Sequence, residues 1–217
     1  MPFSVEDFLA VFSAYNAAIW PLQIVAHVGG LLAVAMLLRP SRIADVLIFA
    51  ILSGMWAING IGYHLIHFST INPAARVFAA LFVLQAVLLF AAPFIFPREQ
   101  VFGAARQTLR WITGALIAYA MVFYPVIGVL AGHGYPAVPV FGVAPCPTTI
   151  FTIGVLLLGD WKRVRWLLMI PALWSAIGGS AAILLSVPQD FGLIAAGLCV
   201  LGMAVARHRV EKEKFLA

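Results

Sequence analysis

Seven apolar runs, separated by loops whose positive charge alternates, leave this chain few ways to fold. The runs are roughly 17–38, 43–68, 74–96, 109–131, 138–158, 164–186 and 190–207. A helix of about 20 residues crosses a hydrocarbon core of ~30 Å. Of the thirteen Lys and Arg residues, all but Arg76 fall at Arg39/Arg42, Arg98/Arg106/Arg110, Lys162/Arg163/Arg165 and Arg207/Arg209/Lys212/Lys214. Basic residues stay on the cytoplasmic side, which assigns every second loop there. The pattern predicts an all-α integral membrane protein with seven transmembrane helices, amino end outside and carboxyl end inside.

Composition supports lipid as the solvent. Hydrophobic residues make up 64% of the chain and charged ones 10%, with a mean hydropathy of +1.05; a soluble domain of this length could not hide so much apolar surface. The net charge of +5 comes from the cytoplasmic clusters, so the lipid bilayer and its anionic headgroups are the expected partners, and nucleic acid is not implied. Residues 1–16 hold Glu6 and Asp7 and lack a basic leader, which suits an amino end translocated with the first helix. Cys146 and Cys199 lie in different runs and offer no disulfide ladder; Cys199 fits as a small core residue. One bundle over 1–217 is expected.

An offset of 118 residues aligns Val46 with Val164, Trp56 with Trp174, Gly60 with Gly178 and Asn72 with Asp190. A repeat on this offset would pair 17–96 with 138–207 as parallel three-helix units, joined by a linker helix over 109–131. In parallel-repeat transporters, sites lie between the units near the midplane. Chance likeness between apolar helices is the competing reading.

The stretch 132–149 holds four prolines and three glycines, too apolar for a solvated loop and too broken for a straight helix. Helix is expected to resume near Pro147 with Cys146 as cap. The dozen residues from there to Leu158 are too few to span, so the preceding segment must descend into the bundle, where protein or water satisfies its backbone. A cysteine at such a helix start gains thiolate character and suits a soft metal, a redox reaction or an anion pocket; a kinked helix with an inert thiol is the alternative. Thr148 and Thr149 either join that site or cap the turn.

Trp56, Gly60, Tyr63 and His67 recur at helical spacing. His64 and His67 suit a transition metal, a proton relay or the interfacial belt, and His64, His133 and Cys146 form a candidate metal set drawn from three segments. His27 lies mid-helix and should face the interior, whereas His208 sits among basic residues near the carboxyl end. Asn72 and Asp190 open the third and seventh helices, as N-caps or, for Asp190, as a cation or proton site. Asn59 and Gln85 are intramembrane amides, either interhelical glue or pore lining. Small residues from Ser175 to Ala182 favour close packing.

At INPAA (71–75), GHGYPAVPVFGVAPCPTTIFTIG (132–154), WSAIGG (174–179) and VPQDFG (187–192), and at the opening MPFSVEDFLAVFSAYNAAIWP, the chain resembles a bacterial inner-membrane family of unknown function. That resemblance implies a seven-helix membrane protein and carries no activity, cofactor or catalytic residue. The helix count also resembles microbial rhodopsins, but the only lysines are Lys162, Lys212 and Lys214, so no retinal Schiff base can form in the last helix. A haem between His27 and His64 would need them at one depth, and they appear at different ones. The expected function is a small transporter or channel for a small solute or metal ion, its path lined by His64, Asn72, His133, Cys146, Thr148, Thr149, Asp190, Trp56, Trp174 and Asn59. The alternatives are a metal- or thiol-dependent membrane enzyme or redox protein, and an accessory subunit of a membrane complex; a homo-oligomer or a membrane complex is the expected assembly.

Overall fold

The computed structural model describes residues 3–95, 100–103, 107–132, 134–184 and 187–216. Arg98, Arg106 and His133, singled out above, lie outside the described residues. The described residues are helical, with no strand beyond one isolated bridge between Phe102 and Gly159.

Helix α1 (Val5–Ala18) occupies the segment expected to be a bare translocated end. Ser4 caps it: the Asp7 amide donates to Ser4 Oγ, and Ser4 N donates to the Asp7 carboxylate, the reciprocal box that satisfies two orphan donors. At residues 19–21 the chain turns by 85° into α2 (Leu22–Leu38). Next comes α3 (Arg42–Ile58), capped by Ser41, which runs without a break through a π-helical stretch, Asn59–His67, and a 3₁₀ turn, Phe68–Thr70. Helix α4 (Ala75–Ile95) follows, then α5 (Gln107–Ala118), which passes through π-helical Tyr119–Phe123 into α6 (Tyr124–Leu130). The short α7 (Pro145–Leu157), a single turn α8 (Trp161–Val164), α9 (Met169–Leu184), a 3₁₀ turn Pro188–Asp190 and α10 (Phe191–Leu216) complete the chain.

Four of these helices are long and apolar enough to cross a membrane: Arg42–Thr70, Ala75–Ile95, Leu109–Leu130 and Pro188–Glu213. A fifth is added if the bent pair α1 and α2 counts as one span. The expected runs 138–158 and 164–186 shrink to helices of 13 and 16 residues. In the first, prolines and glycines deny regular helix before Pro145; in the second, a turn over 165–168 delays the start.

Helix α7 is the axle of the fold. It packs against α3, α5, α9 and α10, and Cys146 is its only residue that is not fully buried. The segment before it runs through the interior on side-chain hydrogen bonds. Asn16 Nδ2 donates to the carbonyls of Pro136 and Val138, Tyr15 OH to Val143 O, and Asn59 Nδ2 to Gly142 O. Irregular backbone can sit at depth in a lipid-embedded fold only when such partners exist.

The basic loops meet at one end of the bundle. Val101 N donates to the Asp45 carboxylate at 2.6 Å, Asp160 N to Val101 O, Arg163 to Gln100 O, Arg42 to Pro93 O and Arg110 to Gly103 O. Arg163 also pairs with Asp160 at 3.5 Å. Asp45 is fully buried within this knot. Asp45→Ala leaves the Val101 amide without its acceptor and is expected to cost about 1–3 kcal/mol, read as a lower thermal midpoint of the purified protein.

Candidate functional site

At the other end of the bundle lies a cavity of about 230 Å³. Its walls come from both halves of the chain: Phe8 and Phe12 of α1, Tyr63 and His64 of the π-helical stretch, Phe78 of α4, Cys146 of α7, Trp174 of α9 and Asp190 of the final 3₁₀ turn. The lining is mostly aromatic, and few polar groups converge on it, the usual make-up of a small-molecule site.

His64 owes its place to the π-helical stretch. A π turn bonds i to i+5, inserts an extra residue and shifts the phase of every side chain beyond it. The 3.6-residue period predicts a stripe from Trp56 through Gly60 and Tyr63 to His67; the structure instead turns His64 fully inward. Gly60 seats the stretch against Phe82 and Val83 of α4, where a Cβ would lie 3.0–3.1 Å from their atoms. The His64 ring is surrounded by Phe82, Trp174, Tyr63 and Phe78 at centroid distances of 4.6, 5.0, 5.0 and 5.8 Å. Neither of its nitrogens has a hydrogen-bond partner. His67 is half-buried, with Nδ1 2.8 Å from Gly62 O and its ring against Tyr15.

Cys146 is the second residue of α7, because Ala144 is the cap and Pro145 the first helical position. Its thiol faces the Asp190 carboxylate and lies close to Tyr124 and the Trp174 indole. Facing a carboxylate, the S–H acts as a donor. Tyr124 OH donates to Asp190 Oδ1. Asp190 therefore turns inward and does not cap α10, whereas its expected counterpart Asn72 does cap: the Ala74 amide donates to Asn72 Oδ1 at 3.1 Å, at the cavity rim. The turn that carries Asp190 is fixed on both sides, since Tyr119 OH donates to Gln189 O and the Tyr119 ring packs against Gly192, leaving no room for a Cβ.

Beneath the cavity the remaining expected residues form a closed polar tie. Asn59 Nδ2 donates to Met55 O, Gly142 O and Thr148 Oγ1; Trp56 Nε1 donates to Thr152 Oγ1; Thr149 Oγ1 donates to Pro145 O. Asn59 and Trp56 thus brace α3 and its π-helical extension against Thr148 and Thr152 of α7, Thr149 bonds back within α7, and none of the four expected residues lines the cavity. Gln85 Nε2 donates to Leu167 O and joins α4 to the turn before α9. His27 lines a different, apolar cavity of about 540 Å³ between α2 and α5, so His27 and His64 do not face one ligand. His208 is exposed. Among the described residues no group of three or more His, Cys, Asp and Glu side chains is placed to hold a metal ion. Of the proposed set, His64 and Cys146 share the cavity, and His133 lies outside the described residues.

Three contributors have no mark in the sequence beyond their type: the Tyr124 hydroxyl, the Phe78 and Phe82 rings beside His64, and the α1 phenylalanines over the cavity. The Ser4/Asp7 box is the available sign of α1.

No curated protein and no solved structure matches the chain. A model described as a family of unknown function, DUF6064, matches residues 5–214. Helices apolar enough to cross a membrane and a polar-tipped aromatic cavity are therefore properties of a chain that belongs to the DUF6064 family.

Proposed function

We propose that the chain crosses the bacterial inner membrane seven times, amino end outside and carboxyl end inside, as a small transporter whose solute site is the cavity of His64, Cys146 and Asp190. One observation carries the proposal: His64 is fully buried against this cavity with both ring nitrogens unpartnered. An unsatisfied buried polar group costs about 1–3 kcal/mol, and ionisable groups kept within lipid-embedded segments mark substrate pathways. A ligand supplies the missing partners.

The meeting of the basic loops at the opposite end supports the orientation, because retained positive charge marks the cytoplasmic face. Phe82 packs on the His64 ring and Trp56 packs on Phe82, all three fully buried, which suits a carrier in an inward-closed state. The repeat draws support from Gly60 and Gly178. Each seats its helix against the next one, on Phe82 and Val83 and on Leu193 respectively, and Trp56 and Trp174 both contact Phe82.

The test is uptake into proteoliposomes across a panel of alkylammonium ions, amino acids, polyols and divalent metals. One class is expected to enter faster than into empty liposomes, with Asp190→Asn and Cys146→Ala each slowing it at least about tenfold, the equivalent of ~1.4 kcal/mol of lost binding. Uptake no better than empty liposomes across the panel, or uptake indifferent to both variants, contradicts the proposal.

A second reading, a thiol-dependent enzyme, is favoured by the Cys146 thiol being a nucleophilic side chain in the cavity lining, on the one α7 residue that is not fully buried. It predicts that a captured solute is recovered chemically altered, and transport predicts that it is recovered unchanged. A metal held by His64, His133 and Cys146 would appear as stoichiometric metal lost in Cys146→Ala.

A further inference from the structure

We infer that the occupant of the cavity is a small organic cation of choline size, its positive centre facing Asp190 and its alkyl groups against the aromatic wall. The inference rests on the solute-site reading above and names its substrate class.

Charge is the first argument. Asp190 is the acid in the cavity lining, and among the described residues no Lys or Arg lines the cavity. Its carboxylate accepts from Tyr124 OH and faces the Cys146 thiol, both neutral groups. A carboxylate kept from water without a cation is costly, because nothing offsets its lost hydration, and a counter-charge relieves that cost. An anionic ligand would meet like charge, whereas a cation completes the pair.

The walls are the second. Tyr63, Phe68, Phe78 and Trp174 with the α1 phenylalanines surround the space, and aromatic faces attract cations, most strongly when water is excluded. Aromatic surroundings also suit the alkyl groups of an ammonium ion, which a bare metal ion lacks. A metal would want several donors at once, and the described His, Cys, Asp and Glu residues offer no such group.

Size and the unpartnered histidine complete the argument. About 230 Å³ holds roughly seven or eight water-sized groups, enough for a choline-sized molecule. The free nitrogens of His64 can meet a hydroxyl or an N–H at the far end of such a ligand, while Asp190 holds the charge.

The experiment is the thermal midpoint of the full chain in detergent with choline, tetramethylammonium or dimethylbutanol, the uncharged carbon isostere of choline, against sodium chloride at equal ionic strength. Choline at saturation is expected to raise the midpoint by about 5 °C, tetramethylammonium by somewhat less, and the isostere not at all. Asp190→Asn, which keeps the shape and the Tyr124 hydrogen bond, is expected to lose the choline shift. Equal shifts from choline and its isostere overturn the inference and leave the solute-site reading intact. The absence of any cation shift also overturns it, and the uptake panel, which holds neutral and zwitterionic solutes, then decides the parent reading separately. Should Asp190→Asn fail to fold, Trp174→Leu keeps the carboxylate and must cut the choline shift at least twofold; an undiminished shift refutes the inference.

Discussion

Gly142→Val is expected to lower the thermal midpoint of the purified protein by about 10 °C, more than any substitution at the open glycines. Gly142 has φ +77°, where a β-branched residue is strained by about 1–3 kcal/mol. A Cβ there would also lie 2.7 Å from Ala26 Cβ and 3.3 Å from Met55 Cε, and overpacking of this kind costs a further 1–3 kcal/mol or so. Each kcal/mol moves the midpoint of a chain of this size by about 2–4 °C. Gly142 O accepts from Asn59, so the displaced backbone also loosens the tie beneath the cavity. Two controls separate strain from contact. Gly132→Ala, at φ +89° with nothing within 4 Å, should show the conformational part alone, and Gly114→Ala, with nothing nearby and an ordinary φ, should be nearly neutral. Equal midpoints for Gly142→Val and Gly114→Ala would mean that the descending segment is not packed as described.

Asn59→Asp is expected to be at least as damaging, with a loss of about 3 kcal/mol or more. The Asn59 amide nitrogen feeds three acceptors, Met55 O, Gly142 O and Thr148 Oγ1. A carboxylate would put negative oxygen against the two carbonyls, within a candidate membrane span where an acid costs about 2.5–3.5 kcal/mol. Asn59→Ala should cost less, about 1–3 kcal/mol, since it leaves acceptors unpaired without adding charge. The ordering Asp worse than Ala, read from thermal midpoints or surviving folded yield, is the check; Asp equal to wild type would place Asn59 in water.

How far the sequence carried the fold depends on which physics wrote each feature. The alternation of basic loops is a charge pattern, and Arg42, Arg110 and Arg163 do meet at one end. The break before α7 was legible because proline and glycine deny helix locally; the helix starts at Pro145, two residues before the expected Pro147, so Cys146 is its second residue and not its cap. Hydrogen-bond register is not written in composition. The π-helical stretch turns His64 fully inward and leaves His67 half-buried, a shift in phase that no count of apolar residues reveals, although His64 is expected in the path on its chemistry. Asn72 and Asp190 look alike as residues that open helices, yet only Asn72 caps, because the Tyr124 hydroxyl and Cys146 thiol draw Asp190 inward from distant helices. Run length overstated the helices: seven apolar runs yield four, or five with the bent pair, that are long enough by themselves.

The most direct measurement is alkylation of Cys146 by N-ethylmaleimide in a Cys199→Ala background, followed by mass spectrometry on protein kept in its membrane. If the thiol opens onto the cavity, it should react under native conditions, more slowly than in denaturing detergent. The adduct should fill the space and abolish the choline-induced shift in midpoint along with solute uptake. A thiol that reacts only after denaturation, or one whose adduct leaves both binding and uptake unchanged, would contradict a functional cavity at Cys146, Asp190 and His64.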